Sequence, residues 1–157
     1  MTEFRDIRVD KPEPHIARIT LARPKQMNAY TTRLCEEMVR AIDAYLRDDA
    51  ERVLIITGEG RAFCSGGDVS GSDDAHHHLM ESQLSHAREM RDGMHRVILA
   101  LHHLDKPVIA MINGPAVAGG LTLAVGDAQS AFAPCCPQDE PGKPLRGQQS
   151  GLPSSPG

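Results

Sequence analysis

A chain of 157 residues, 40% hydrophobic and 24% charged, suits one globular domain with a sizeable core and is too short for two ordinary ones. Its formal net charge of −4, with no lysine and arginine stripe, argues against nucleic acid or an anionic membrane as partner. The longest apolar runs, at 53–56 and 107–112, fall far short of a bilayer span, and Met1-Thr2-Glu3-Phe4-Arg5-Asp6 holds no apolar signal core, so a cytoplasmic location is expected.

Residues 4–9 read as a short strand and residues 16–21 as a second, with Ala17, Ile19 and Leu21 on one face. A hairpin turn across Lys11-Pro12-Glu13-Pro14 would join them, and Arg23-Pro24 ends the pair. Thr31 or Thr32 can cap a helix, with Glu36 and Glu37 in its first turns, where the dipole favours anions. Leu34, Met38, Ala41, Ile42 and Tyr45 give that helix one apolar face. The run at 53–57 is apolar and β-branched, which predicts a strand covered on both faces, and Gly58-Glu59-Gly60 turns the chain.

Beyond a loop over 61–74, Leu84, Ala87, Met90, Met94, Val97, Ile98, Leu101 and Leu104 predict one long helix over about 82–104. Residues 107–112 form another buried strand, Asn113-Gly114-Pro115 a turn, and 116–124 the opening of a helix. Strands alternating with helices imply an α/β domain with a largely parallel sheet. No internal repeat is evident. From Gly126 onward the composition changes: 19 of the last 32 residues are proline, glycine, serine or glutamine. Such a segment cannot offset its ordering entropy by burial, so disorder is expected over 126–157, with the domain proper over 1–125. Cys35, Cys64 and the adjacent Cys135 and Cys136 have no C-x-x-C spacing and are expected to be reduced.

Two strand-to-loop transitions share a logic. After the strand at 53–57 comes Ala62-Phe63-Cys64-Ser65-Gly66-Gly67-Asp68, and after that at 107–112 comes Asn113-Gly114-Pro115-Ala116-Val117-Ala118-Gly119-Gly120. Paired glycines let backbone approach a ligand and turn its N–H groups outward, and the second pair opens a helix, where unpaired N–H groups stabilise negative charge. Two such groups converging on one oxygen would form an oxyanion hole, each donor typically worth about 10²–10³-fold in rate.

Leu21-Ala22-Arg23-Pro24 with Asn28-Ala29, then Phe63-Cys64-Ser65-Gly66-Gly67-Asp68, then Lys106-Pro107-Val108-Ile109-Ala110 running into Asn113-Gly114 and Ala118-Gly119-Gly120, resemble in order the signatures of the enoyl-CoA hydratase/isomerase (crotonase) superfamily. The resemblance spans 21–124. It implies a ClpP/crotonase-type ββα spiral fold, incomplete in this chain, and oxyanion donors at the backbone N–H groups of Gly67 and Gly119. It also implies that Met27, Asn28 and Ala29, together with Phe63, Cys64, Ser65 and Gly66, line the coenzyme A arm of an acyl-CoA thioester. The chemistry needs no metal or redox cofactor, and coenzyme A enters as part of the substrate. A complete domain would form the homotrimer or hexamer of that family.

Hydratases of the superfamily carry a glutamate three residues after the second oxyanion glycine, where this chain has Thr122. A hydroxyl has no useful acid–base pKa near neutrality. An isomerase-type or divergent activity is therefore expected, or else a truncated, non-catalytic member that binds coenzyme A weakly or associates with homologues. The resemblance stops inside a helix near Ala124, as a frameshift, alternative splice or gene-model error would leave it, and marginal stability with exposed apolar faces is expected.

Other groups have plainer readings beside functional ones. Asp68 is a candidate to support the substrate-facing residues or to act as an acid or base, or else a loop aspartate bonded to its own backbone. His76-His77-His78 with Asp73 and Asp74 suit a solvated loop better than a metal site. His102-His103 suit a helix C-terminus. Cys64 and Ser65 lack a placed base and a G-x-S-x-G context, which favours a packed thiol and a loop hydroxyl over a nucleophile. Gly58-Glu59-Gly60 lacks the rest of a dinucleotide fingerprint.

Overall fold

The alternation along residues 16–21 decides where the core lies. In the computed structural model, which describes residues 4–68, 93–126 and the backbone of 131–134, Ala17, Ile19 and Leu21 are buried on one strand face, as their spacing predicts. The expectations for 69–92, including the three consecutive histidines and the first half of the long helix, lie outside the described residues, as do Cys135 and Cys136.

Strands β1 (Ile7–Glu13) and β2 (Ile16–Leu21) form an antiparallel hairpin. β3 (Val53–Gly58), β4 (Val108–Ile112) and β5 (Ala131–Pro134) then add in parallel, so the five strands lie in chain order. The turn differs from expectation. Glu13 faces Ile16 across the ladder, so the chain reverses at Pro14-His15, with His15 at φ 68°, and Lys11-Pro12 belongs to β1. Proline cannot donate to a ladder; here it falls on an edge strand where the register shifts between Asp10 and Glu13.

β3 and β4 also depart from the sequence reading. Their apolar runs predict cover on both faces, yet Leu54, Ile56, Val108 and Ala110 are buried while Val53, Ile55, Ile109 and Met111 are only half-buried. The buried set joins one cluster with Leu34, Met38 and Ile42 of α1 (Thr32–Leu46) and Val97 and Leu101 of α2 (Met94–His102). Helical cover from these elements therefore reaches one face. α2 stops at His102, short of the predicted Leu104, which is buried just beyond the helix end. A further departure lies in the segment whose composition predicts disorder: the Ala-Phe-Ala-Pro stretch of β5 pairs with β4 from Ile109 to Ile112. The backbone edge of β4 offers a ladder to any extended neighbour, whatever the composition around it.

Thr31 is the cap of α1, its hydroxyl oxygen accepting from the Leu34 N–H at 3.1 Å. Glu36 and Glu37 come too late for the first turn, and Glu37 has a different task. Its buried carboxylate accepts from the backbone N–H groups of Arg5 (3.0 Å), Asp6 (2.8 Å) and Ile7 (3.2 Å), fastening the chain entering β1 to α1. At the other end Lys106 donates to the carbonyls of Tyr45 and Asp48 at 3.2 and 2.9 Å and sits 4.9 Å over the Tyr45 ring. Burial without a hydroxyl partner among the described residues pushes the Tyr45 phenol up to about 12. α1 is thus tied to the chain around the sheet at both ends by charged side chains.

Replacing Glu37 by alanine leaves those backbone donors without their acceptor. A loss of about 1–3 kcal/mol in denaturant unfolding is expected, whereas a change within ±0.5 kcal/mol would contradict this role.

Candidate functional site

The loops leaving the C-terminal ends of β2, β3 and β4 lie side by side, and their backbones bond to one another. Tyr30 bridges Gly67, with the Tyr30 N–H donating to Gly66 O at 2.9 Å and the Asp68 N–H to Tyr30 O at 3.0 Å. Cys64 bridges Ala116 in the same way: the Phe63 and Cys64 N–H groups reach Pro115 O at 3.0 and 3.2 Å, and the Val117 N–H reaches Cys64 O at 3.0 Å. A Ser65 N–H to Met27 O bond of 3.1 Å continues the seam. The approach is close enough that a Cβ on Gly120 would stand 2.1 Å from Cys64 O, so no side chain fits there.

Two asparagines, Asn28 buried and Asn113 half-buried, hold these loops in register. Asn28 is fully buried; its Nδ2 donates to the carbonyls of Glu59 and Ala62 at 2.9 and 2.8 Å, and its Oδ1 accepts from the Arg23 N–H at 3.0 Å. Asn113 does the same from the β4 side, accepting from the Gly58 N–H at 3.0 Å and donating to Gly60 O at 2.8 Å. Met27 and Asn28 take left-handed backbone with φ of 49° and 55°, which at Asn28 the short amide side chain tolerates in a turn.

This stitching leaves two donors aside. In the Tyr30–Gly67 bridge the bonds flank Gly67, so its own N–H points away from the Tyr30 strand. The Gly119 N–H stands at the first residue of α3 (Gly119–Val125), where no intrahelical acceptor exists. Neither N–H has an acceptor among the described residues. Their loops touch: a Cβ on Gly66 would lie 3.8 Å from the Gly119 nitrogen. Ala118, just before, holds φ 49° and ψ −122°, a region that costs an L-residue about 1–3 kcal/mol. α3 begins at Gly119, later than the predicted 116, because residues 115–117 are spent on the bridge to Cys64.

Asp68 is held by a charged partner. Its carboxylate pairs with Arg23 at 2.8 Å, both side chains being less than a tenth exposed. Arg23 also donates to Ala29 O and lies 3.9 Å from Asp6, which pairs in turn with Arg33 at 3.0 Å. Beside this network a cavity of about 420 Å³ carries Arg5, Arg8, Arg23, Lys25 and Arg33 against Asp6 and Glu59. No residue of 27–30, 63–68 or 114–120 lines it.

A family model for enoyl-CoA hydratase/isomerase matches residues 12–127, a span that holds all three loops. The chain belongs to the enoyl-CoA hydratase/isomerase family. A probable enoyl-CoA hydratase of Mycobacterium leprae is 39% identical over 117 residues, 74% of this chain and 40% of that protein. An enoyl-CoA hydratase of Alternaria alternata is 36% identical over 123 residues, 78% of this chain and 39% of that one. Among solved structures, an enoyl-CoA hydratase from Bacillus anthracis matches with a TM-score of 0.69 and 32% identity, over 82% of this chain and 47% of that chain. A monofunctional enoyl CoA isomerase from M. smegmatis matches with a TM-score of 0.63 and 31% identity, over 82% and 50%. The α/β architecture is the crotonase fold. The chain spans about 40% of the length of the curated relatives it matches and about half of the solved chains.

Within that family framework the residues singled out from the sequence fall into two groups. Met27 and Ser65 keep partly exposed side chains, Ser65 Oγ donating to Gln26 O at 3.4 Å. Asn28, Ala29, Phe63 and Cys64 are buried, so their side chains pack inward. Burial pushes the Cys64 thiol up, against the pull of the Gly66 and Tyr30 N–H groups, which suits a packed thiol and not a nucleophile. Thr122 is exposed on α3 and its hydroxyl donates to Ala118 O at 3.4 Å. Val117, Leu121 and Val125 follow every four residues along that side and are each about half exposed. Residue spacing assigns no role to the Tyr30 ring, the Asn113 side chain or the Arg23–Asp68 pairing; the aromatic after Asn28-Ala29 is the signal available for Tyr30.

Ala118→Gly relieves the positive φ while leaving the loop bonds intact. A gain of up to about 1 kcal/mol in chemical denaturation is expected, and a loss of that size would contradict the strain described for Ala118.

Proposed function

We propose that this chain binds an acyl-CoA thioester and polarises its carbonyl through the backbone N–H groups of Gly67 and Gly119. The observation that carries the reading is the pair of N–H groups, on two loops in contact, that have no acceptor among the described residues. Donors fixed in advance where an enolate oxygen gains charge stabilise it without reorganising. Met27, Ser65 and the backbone of Asn28, Ala29, Phe63, Cys64 and Gly66 would run along the coenzyme A arm. The cation-rich cavity at Lys25 adjoins that arm through Gln26-Met27, and its excess of arginine and lysine suits the phosphates of the coenzyme. The setting proposed is cytoplasmic, with coenzyme A as part of the substrate.

Enolate formation also needs a base to take the α-proton. Thr122 supplies none, and Asp68 is committed to Arg23. An isomerase-type or divergent activity therefore fits better than hydration by a glutamate pair. A second reading, a non-catalytic acyl-CoA binder or partner of homologous chains, is favoured by the same Thr122.

Two measurements test the proposal. Butyryl-CoA should bind about 10-fold tighter than its thioether analogue S-butyl-CoA, which lacks the carbonyl that accepts the two bonds; equal affinities would sink the carbonyl reading. Turnover of a 3-enoyl-CoA to its 2-enoyl isomer, falling about 10²–10³-fold in Gly119→Pro, supports catalysis. Discrimination between thioester and thioether without turnover leaves the binder.

A further inference from the structure

Tyr30 meets both donor glycines, and by two different means. Its backbone brackets Gly67, accepting from the Asp68 N–H and donating to Gly66 O. Its half-buried ring then crosses to the second loop. A Cβ on Gly119 would stand 2.5 Å from Tyr30 Cε1 and 2.7 Å from Oη, and one on Gly67 would stand 3.5 Å from Oη. No real Cβ sits 2.5 Å from a ring carbon, so with Tyr30 in place residue 119 can only be glycine. At 67 the same ring makes ordinary van der Waals contact.

One rigid side chain thus lies against both Cα atoms whose N–H groups are proposed to face the thioester oxygen. A phenol has only two side-chain torsions, and its backbone is held by two hydrogen bonds, so it makes a stiff spacer. At both glycines the three heavy atoms nearest such a Cβ all belong to Tyr30.

We propose that Tyr30 is a positioning residue, its ring setting the separation and angle of the Gly67 and Gly119 N–H groups, an inference that rests on the acyl-CoA reading above. The ring acts by shape. Distances between an oxyanion and its donors matter at the level of a few tenths of an ångström, and a spacer that can relax lets both donors drift.

The test uses acetoacetyl-CoA, a β-ketothioester whose enolate absorbs in the near ultraviolet, bound to the full chain across a range of pH. Donors aimed at the oxyanion lower the apparent pKa at which the bound probe enolises. Tyr30→Phe keeps the ring and should leave that titration within about 0.3 unit of the parent. Tyr30→Ala should raise it by at least about one unit, a tenfold loss of enolate at fixed pH, with affinity for free coenzyme A unchanged. Gly119→Ala, which drives a methyl into the ring, should cost at least as much in the parent background and little more in Tyr30→Ala, since the clash is then gone. Should Tyr30→Ala fail to fold, Gly119→Ala alone carries the test, and a parent-like titration there overturns the proposal. So does superposition of the Tyr30→Ala curve on the parent, or a Tyr30→Phe loss equal to that of Tyr30→Ala, which would assign the effect to the hydroxyl. Absence of any enolate signal in the parent chain overturns the acyl-CoA reading itself, a result distinct from parent enolisation that ignores Tyr30.

Discussion

Everything at the candidate site follows from two short backbone bridges, Tyr30 to Gly67 and Cys64 to Ala116. A peptide group that bonds sideways to a neighbouring loop has no freedom to point elsewhere. By pairing Gly66, Asp68, Cys64 and Val117 with their neighbours, the bridges fix the direction of the two N–H groups left over, those of Gly67 and Gly119. Their polarity is set by bonds that the rest of the fold makes for its own stability. A donor pair held in this way loses little entropy when an oxygen arrives, which is the physical condition for electrostatic stabilisation.

The bridges depend in turn on buried polar groups that look expensive when considered singly. Asn28 exchanges its water for the carbonyls of the 58–62 turn, and the half-buried Asn113 adds a bond to the same turn. Arg23 and Asp68 keep their charges away from water in a pair braced by Ala29 O and Asp6. Burying any one of these alone would cost several kcal/mol, and removing one partner leaves that cost on the other. Such groups persist where a specific loop geometry is needed, because apolar packing is tolerant of small shifts and a hydrogen-bonded staple is not. The strain at Ala118 belongs to the same economy of position, since it turns the chain sharply from the Cys64 bridge into α3.

Much of this could be read from the sequence, and what could not has identifiable causes. The alternation of Ala17, Ile19 and Leu21 and the helical spacing of Leu34, Met38, Ala41, Ile42 and Tyr45 gave the core correctly, because burial period is a property of local geometry. Lys11-Pro12-Glu13-Pro14 carries turn composition, yet Pro12 sits where the register of β1 shifts, which only the edge position of that strand permits. Glu37 was read by its distance along the helix and acts across the chain, on residues 5–7. β5 arises from pairing with β4, a long-range partner that composition does not reveal. The family signatures brought the right loops forward, yet the side chains of Asn28, Phe63 and Cys64 face inward. Motif spacing names positions; it does not say which way a residue points, and Tyr30 matters because of where its ring goes.

In the proposed complex the Gly67 and Gly119 N–H groups converge on one thioester carbonyl oxygen. Carbon-13 NMR of butyryl-CoA labelled at the thioester carbonyl, with and without the chain, measures this at the atom concerned. Two hydrogen bonds to the oxygen withdraw electron density from the carbonyl carbon, so its resonance should move downfield on binding, and less so in Gly119→Pro. A bound thioester whose carbonyl resonance stays at its position in water, or moves equally in Gly119→Pro, would contradict the account.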